Sequence, residues 1–132
     1  GFGQEGQLGQ GSNSSIGQAA GTMGDNLPTI NVGTGRTVVA IAPGGAHTCA
    51  AVLDDNTIKC WGSNLYGSLG QGDLVARGVS AGEMGDNLLA VNLTFGDGAG
   101  AVSNAWAGTY HTCVSGTEGG MACFGINAAG QV

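Results

Sequence analysis

Aromatic residues make up only 5% of the 132-residue chain, proline occurs twice, and lysine and arginine together number three. So few rings leave little of the bulky side chain that dominates an ordinary core. The basic residues Arg36, Lys59 and Arg77 stand apart in sequence, so no cluster exists to track a phosphate backbone, and nucleic acid is not an expected partner. No run of 18 apolar residues occurs, so no membrane-inserted helix is expected. No stretch of ten or more residues combines a helical apolar period with good helix formers, and Ser80 to Met84 supplies at most one turn. Gly-x-Ser-x-Gly, the Walker loop, His-Glu-x-x-His and paired carboxylates are all missing. The expectation is a non-enzymatic protein with no catalytic, cofactor-binding or metal-binding residues, and no cofactor.

Glycine fills the space: 28 residues, far above average usage, with no strict Gly-X-Y period that would suggest collagen. Nine acidic residues give a net charge of −6, most simply a solvated surface. The glycines belong to an internal repeat. Gly6-Gln7-Leu8-Gly9-Gln10-Gly11 returns as Gly67-Ser68-Leu69-Gly70-Gln71-Gly72, and Met23-Gly24-Asp25-Asn26-Leu27 as Met84-Gly85-Asp86-Asn87-Leu88, both 61 residues later. His47-Thr48-Cys49 returns as His111-Thr112-Cys113 at an offset of 64, and Cys60-Trp61-Gly62 as Cys123-Phe124-Gly125 at 63. The added residues fall most simply in Gly96 to Gly100, a loop of the kind that repeats lengthen at little cost. The units run approximately over residues 8–68 and 69–131 of a single partial domain, 1–132.

Each unit reads as β. Thr37 to Ala42 is β-branched and apolar and precedes a Pro43-Gly44-Gly45 turn signal. His47 to Leu53 forms the next strand, turns at Asp54-Asp55 and returns through Thr57 to Trp61; Leu27 to Val32 and Leu88 to Leu93 supply further short strands. In the Met-Gly-Asp-Asn-Leu copies, Asp25 or Asp86 caps a turn and Asn26 or Asn87 takes an unusual backbone region, a better account than a calcium loop.

A two-residue turn at Asp54-Asp55 sets Leu53 opposite Asn56, Val52 opposite Thr57, Ala51 opposite Ile58 and Cys49 opposite Cys60. Cys113 and Cys123 are one residue closer, which leaves Thr117-Glu118-Gly119 as a three-residue loop with glycine where the left-handed conformation falls. Intra-hairpin disulfides Cys49–Cys60 and Cys113–Cys123 are the preferred reading; zinc held by the cysteines with His47 and His111, and free buried thiols, are the alternatives. Disulfides imply an oxidising compartment. Asn13-Ser14-Ser15 and Asn92-Leu93-Thr94 fit the N-glycosylation pattern, making Asn13 and Asn92 candidate acceptors and favouring an extracellular or secretory-pathway lumenal location.

The order His47-Thr48-Cys49-Ala50, Lys59-Cys60-Trp61-Gly62-Ser63-Asn64, Gly67-Ser68-Leu69-Gly70-Gln71-Gly72-Asp73 resembles the repeat of the regulator of chromosome condensation family, in a cysteine-containing, extracellular form. The resemblance covers essentially the whole chain. It implies an all-β fold, a β-propeller segment of about two blades of four-stranded antiparallel sheet, from a ring of typically seven blades. It also implies that Trp61, Phe124, His47 and His111 are packing or strand residues. Some members promote nucleotide exchange on a small GTPase and bind chromatin, but the likeness here lies in scaffold glycines and strands, so that activity does not transfer.

A propeller must close, and at 61 to 64 residues per unit seven blades need about 430 residues. The expectation is therefore a piece of a longer chain, with several short chains completing a ring as the alternative. Expected partners are a protein, or further blades of the same or a neighbouring chain. Function divides between a non-enzymatic extracellular scaffold or protein-interaction module and a carbohydrate-binding propeller. For the second, Trp106 with Tyr110, or Tyr66 with Asn64, are candidate glycan contacts. Trp106 has only Ala42 at its matching place, so the repeat does not explain it; an exposed Trp106 on the propeller face favours glycan binding, and one buried between blades argues against it.

Overall fold

The computed structural model describes residues 1–50, 54–95, 98–99 and 101–132. Two three-stranded antiparallel sheets carry the two units. The first joins β1 (Ala42–Pro43), β2 (His47–Ala50) and β3 (Lys59–Gly62) in that order. The short hairpin of β4 (Thr94–Phe95) and β5 (Gly98–Ala99) follows, and the second sheet joins β6 (Val102–Ala107), β7 (His111–Gly116) and β8 (Met121–Gly125). Helix among the described residues amounts to two single 3₁₀ turns, Gly24–Asn26 and Gly85–Asn87, at matching places in the repeat.

A fourth strand is present only as a bridge. Gly62 exchanges both backbone hydrogen bonds with Arg77, at 2.8 and 3.1 Å, alongside β3. The same exchange occurs one copy earlier, between Gly1 and Ile16, so the bridge is a property of the repeat and not of one sequence.

In the first hairpin Cys49 lies opposite Cys60 and Ala50 opposite Lys59. The inferred pairs that use Ala51, Val52 and Leu53 lie outside the described residues, as do Gly96, Asp97 and Gly100 of the lengthened loop. The turn extends past the two aspartates: Asn56, at φ 59°, is the one non-glycine with left-handed backbone among the described residues. Asp55 braces this turn by accepting from the Thr57 N–H and hydroxyl at 3.1 and 2.6 Å. In the second hairpin the loop closes over Thr117 to Gly119, with Gly119 at φ 96° and Cys113 opposite Cys123.

Three strand expectations need correction. Of Thr37 to Ala42, Val38 forms an isolated bridge, the Thr37 carbonyl accepts from the Asp54 N–H at 3.1 Å, and Ala42 pairs in β1 together with Pro43, which pairs with Thr48 instead of turning. Val39 and Ile41 are exposed, so the β-branched run does not continue as a covered strand from Val38 to Ala42. Leu27 to Val32 and Leu88 to Leu93 form no strands; each starts as the end of a 3₁₀ turn, and Val91 makes a single backbone bond to the Ile58 carbonyl, 2.8 Å. In those turns the left-handed residues are Gly24 and Gly85, not the asparagines. Asp86 accepts from the Thr34 N–H and hydroxyl at 2.8 and 2.6 Å and so ties one excursion to the preceding unit instead of capping its own turn.

The main core is the seam between the units. Ala42, Cys49 and Cys60 from the first sheet, with Ile58 just before β3, pack with Leu69, Val91, Val102, Ala105 and Val114. A smaller cluster of Val32, Ala50, Trp61 and Leu88 covers the opposite face of the first sheet.

Candidate functional site

The buried polar side chains converge on the seam. His47 Nε2 lies 2.8 Å from Thr112 Oγ1, and the Thr112 hydroxyl donates to the Ser68 carbonyl at 2.9 Å. One unit earlier, the Thr48 hydroxyl donates to the Gln7 carbonyl at 3.0 Å, so the threonine of the His-Thr-Cys element fastens each sheet to the glycine segment before it. Trp61 Nε1 donates to the same Gln7 carbonyl at 3.0 Å. Phe124, at the matching position, carries no such donor. Gln10 Nε2 to the Pro28 carbonyl, 3.0 Å, recurs as Gln71 Nε2 to the Leu89 carbonyl, 3.1 Å.

Lys59 is unique to the first unit, where it donates from Nζ to the Val32 and Gly85 carbonyls, both at 2.9 Å. Burial lowers its pKa, opposed by the Asp86 carboxylate. Asn64 is buried and takes the Leu69 N–H on its side-chain oxygen while donating to Asp73. Burial pushes the His47 pKa below its ordinary value, and the charge of His111 adds to that. Among the described residues no buried side-chain polar atom lacks a partner, and no group of three or more His, Cys, Asp or Glu comes together as a metal set. The polar chemistry of the interior is therefore committed to holding the units together. Thr48 and Thr112 are readable in the sequence as a repeated pair; their acceptors are not, because a backbone carbonyl has no sequence signature.

The Cys49 and Cys60 sulfurs are joined, as are those of Cys113 and Cys123, with Cα atoms 4.0 and 4.1 Å apart. The first bridge is fully buried in the seam, whereas the second is half-buried. Trp106 pairs with Cys113 as Ala42 pairs with Cys49, which puts the indole on the same sheet face as the second bridge. Ala42 is 4% exposed beneath the second unit, and Trp106 is 52% exposed.

Tyr66, following β3, and Tyr110, in the β6–β7 turn, meet edge to face with ring centroids 5.1 Å apart, each about two-fifths exposed. The structure thus brings two of the three candidate contact residues together across the units, and Trp106 makes no aromatic pair among the described residues. Asn64 belongs to the interior and not to this surface. Asn13 and Asn92 are both exposed. No helix among the described residues is long and apolar enough to cross a membrane.

Residues 38–68 match the family model described as the Regulator of chromosome condensation (RCC1) repeat. Comparison with curated proteins by sequence returns no match. Among solved structures, the chain superposes on yeast RCC1 (Prp20), from a crystal structure in which Kap60 is bound to it, with a TM-score of 0.58 and 17% identity. That alignment takes in 96% of this chain and 27% of the yeast one, so the chain spans about a quarter of the length of that structure. The fold is accordingly that of an RCC1-type β-propeller segment.

Proposed function

We propose that this stretch of RCC1-type repeat is a non-enzymatic extracellular scaffold that presents a protein-binding surface. The observation that carries the reading is the seam. His47, Thr112, Lys59 and Asn64 all have intramolecular partners, and each hairpin is crosslinked by its own cysteine pair. Buried polar groups committed to structure suit a rigid frame, and cysteines paired across strands suit an oxidising compartment. The exposure of Asn13 and Asn92 supports reading them as glycan acceptors.

The exposed Tyr66–Tyr110 pair favours a second reading, a shallow platform on which a planar or sugar face is held by ring contacts. Trp106 does not strengthen it, because its sheet face is the one that the first unit covers with its neighbour.

The test is thiol alkylation with mass analysis of the protein secreted by a glycosylating cell. The expected outcome is no alkylated cysteine before reduction, four after it, and glycan on Asn13 or Asn92. Four alkylatable thiols in the native protein would exclude the extracellular reading.

A further inference from the structure

The sequence holds only two tyrosines, and the fold sets one against the other. The repeat does not ask for either ring: Glu5 and Ala129 stand at the places matching Tyr66, and Ala46 at the place matching Tyr110. Both lie in turns outside the strands. The Tyr66 turn is closed by the Gly67 N–H on the carbonyl of buried Asn64 at 3.0 Å, and the Tyr110 carbonyl accepts from the Ile126 N–H at 3.0 Å. The Tyr110 turn begins at Gly108, whose carbonyl accepts from the Gly45 N–H of the first unit at 3.2 Å. With centroids 5.1 Å apart and planes inclined at 65°, the rim of one phenol ring rests on the other, and both rings reach solvent. The two disulfides lie within their own hairpins, so neither crosses the seam between the units.

We propose that this pair is a modification site, at which oxidation joins Tyr66 to Tyr110 as an intramolecular dityrosine and so crosslinks the first unit to the second. The oxidant is hydrogen peroxide used by a haem peroxidase. Each phenol gives up one electron and one proton, and the peroxide takes up both pairs to become two molecules of water. The two phenoxyl radicals then form one carbon–carbon bond between the ring carbons ortho to their oxygens. Each of those carbons loses its hydrogen as a proton while its phenol oxygen regains one, so the protein loses two hydrogen atoms in all. Turns fastened at the backbone keep the rings within reach of each other, while exposed side chains rotate quickly enough to pass from the edge-to-face contact to the approach that the bond needs. The crosslink rests on the scaffold reading for one thing, an oxidising compartment in which such an oxidant is met.

Treatment of the purified, disulfide-intact chain at low concentration with a haem peroxidase and limiting hydrogen peroxide tests this, with N-acetyltyrosinamide in excess as a competitor whose own coupling shows that the oxidant is active. The monomer is expected to lose two hydrogens and to gain dityrosine fluorescence. After reduction, trypsin cuts at Lys59 and Arg77 and so leaves the two tyrosines on separate peptides, which should be found joined. Tyr66→Phe and Tyr110→Phe keep both rings in place, and each should abolish the crosslinked monomer. An unmodified monomer, competitor captured on either tyrosine in place of the joined pair, coupling only between chains, or a crosslinked monomer that survives either substitution would each overturn the proposal. Such a failure would leave the thiol count and glycans of the scaffold reading untouched, whereas free thiols in the secreted protein would remove that reading and leave the contact between the rings as it is.

Discussion

The two hairpins have nearly the same sequence skeleton and the same crosslink, yet only the first is enclosed. Both set cysteine opposite cysteine, both follow a His-Thr-Cys strand, and both fasten their threonine to the carbonyl of the preceding glycine segment. What differs is the neighbour. The second sheet and its leading segment cover the Cys49–Cys60 face, while the Cys113–Cys123 face is half-open. Local contacts therefore come from the repeat, and burial comes from adjacency, as expected of a quasi-one-dimensional stack.

Removing the crosslinks separately makes this difference measurable. The bridges close loops of sequence separation 11 and 10, so in the chain-entropy account each contributes almost the same, roughly 3 kcal/mol. Cys49→Ala with Cys60→Ala also empties volume in the buried seam, adding a cavity cost of about 1–2 kcal/mol that the double replacement of Cys113 and Cys123 escapes. Urea unfolding of the two double variants should show the first to be the less stable by that margin. Equal losses would mean that the seam does not enclose the first bridge.

The crosslinks are also where the sequence is most legible. Strand alternation has a period of two, so a turn of known length fixes which residues oppose, and Gly119 marks its own turn. Asn56 escapes such a reading because asparagine tolerates left-handed backbone without requiring it, so the sequence suggests a turn of only two residues. Thr37 to Ala42 misleads for a different reason. β-branched residues favour a pleated, half-covered surface, and Val39 and Ile41 have no such cover here. The exposure of Trp106 is not readable at all, since cover depends on which unit lies next to it and not on the residue.

The seam should also respond to pH through His47. Its folded-state pKa is depressed by burial and by His111, so the folded protein resists protonation that the unfolded chain accepts below about 6.5. Stability is then fully present above that value and is lost as pH falls from it toward the lower folded-state pKa. Melting temperatures between pH 7.5 and 5.5 should fall more for the wild type than for His47→Gln, which retains a polar group to face Thr112. Parallel slopes would show that His47 protonates freely and that the seam opens to water.

The smallest expected effect separates the two turns themselves. Gly119 has φ 96° and open space on the side where a Cβ would sit, so Gly119→Ala meets no neighbour and its cost is purely conformational, about 1 kcal/mol. Asn56 at φ 59° already bears a side chain in left-handed backbone, so Asn56→Gly relieves that strain while freeing the unfolded chain, two terms that nearly cancel. The first substitution should lower the urea midpoint measurably and the second should change it by no more than a few tenths of a kcal/mol equivalent. A reversed order would mean that the Asp55–Thr57 brace, and not the backbone angle of Asn56, holds the first turn, and that the two hairpins differ in their turns as well as in their cover.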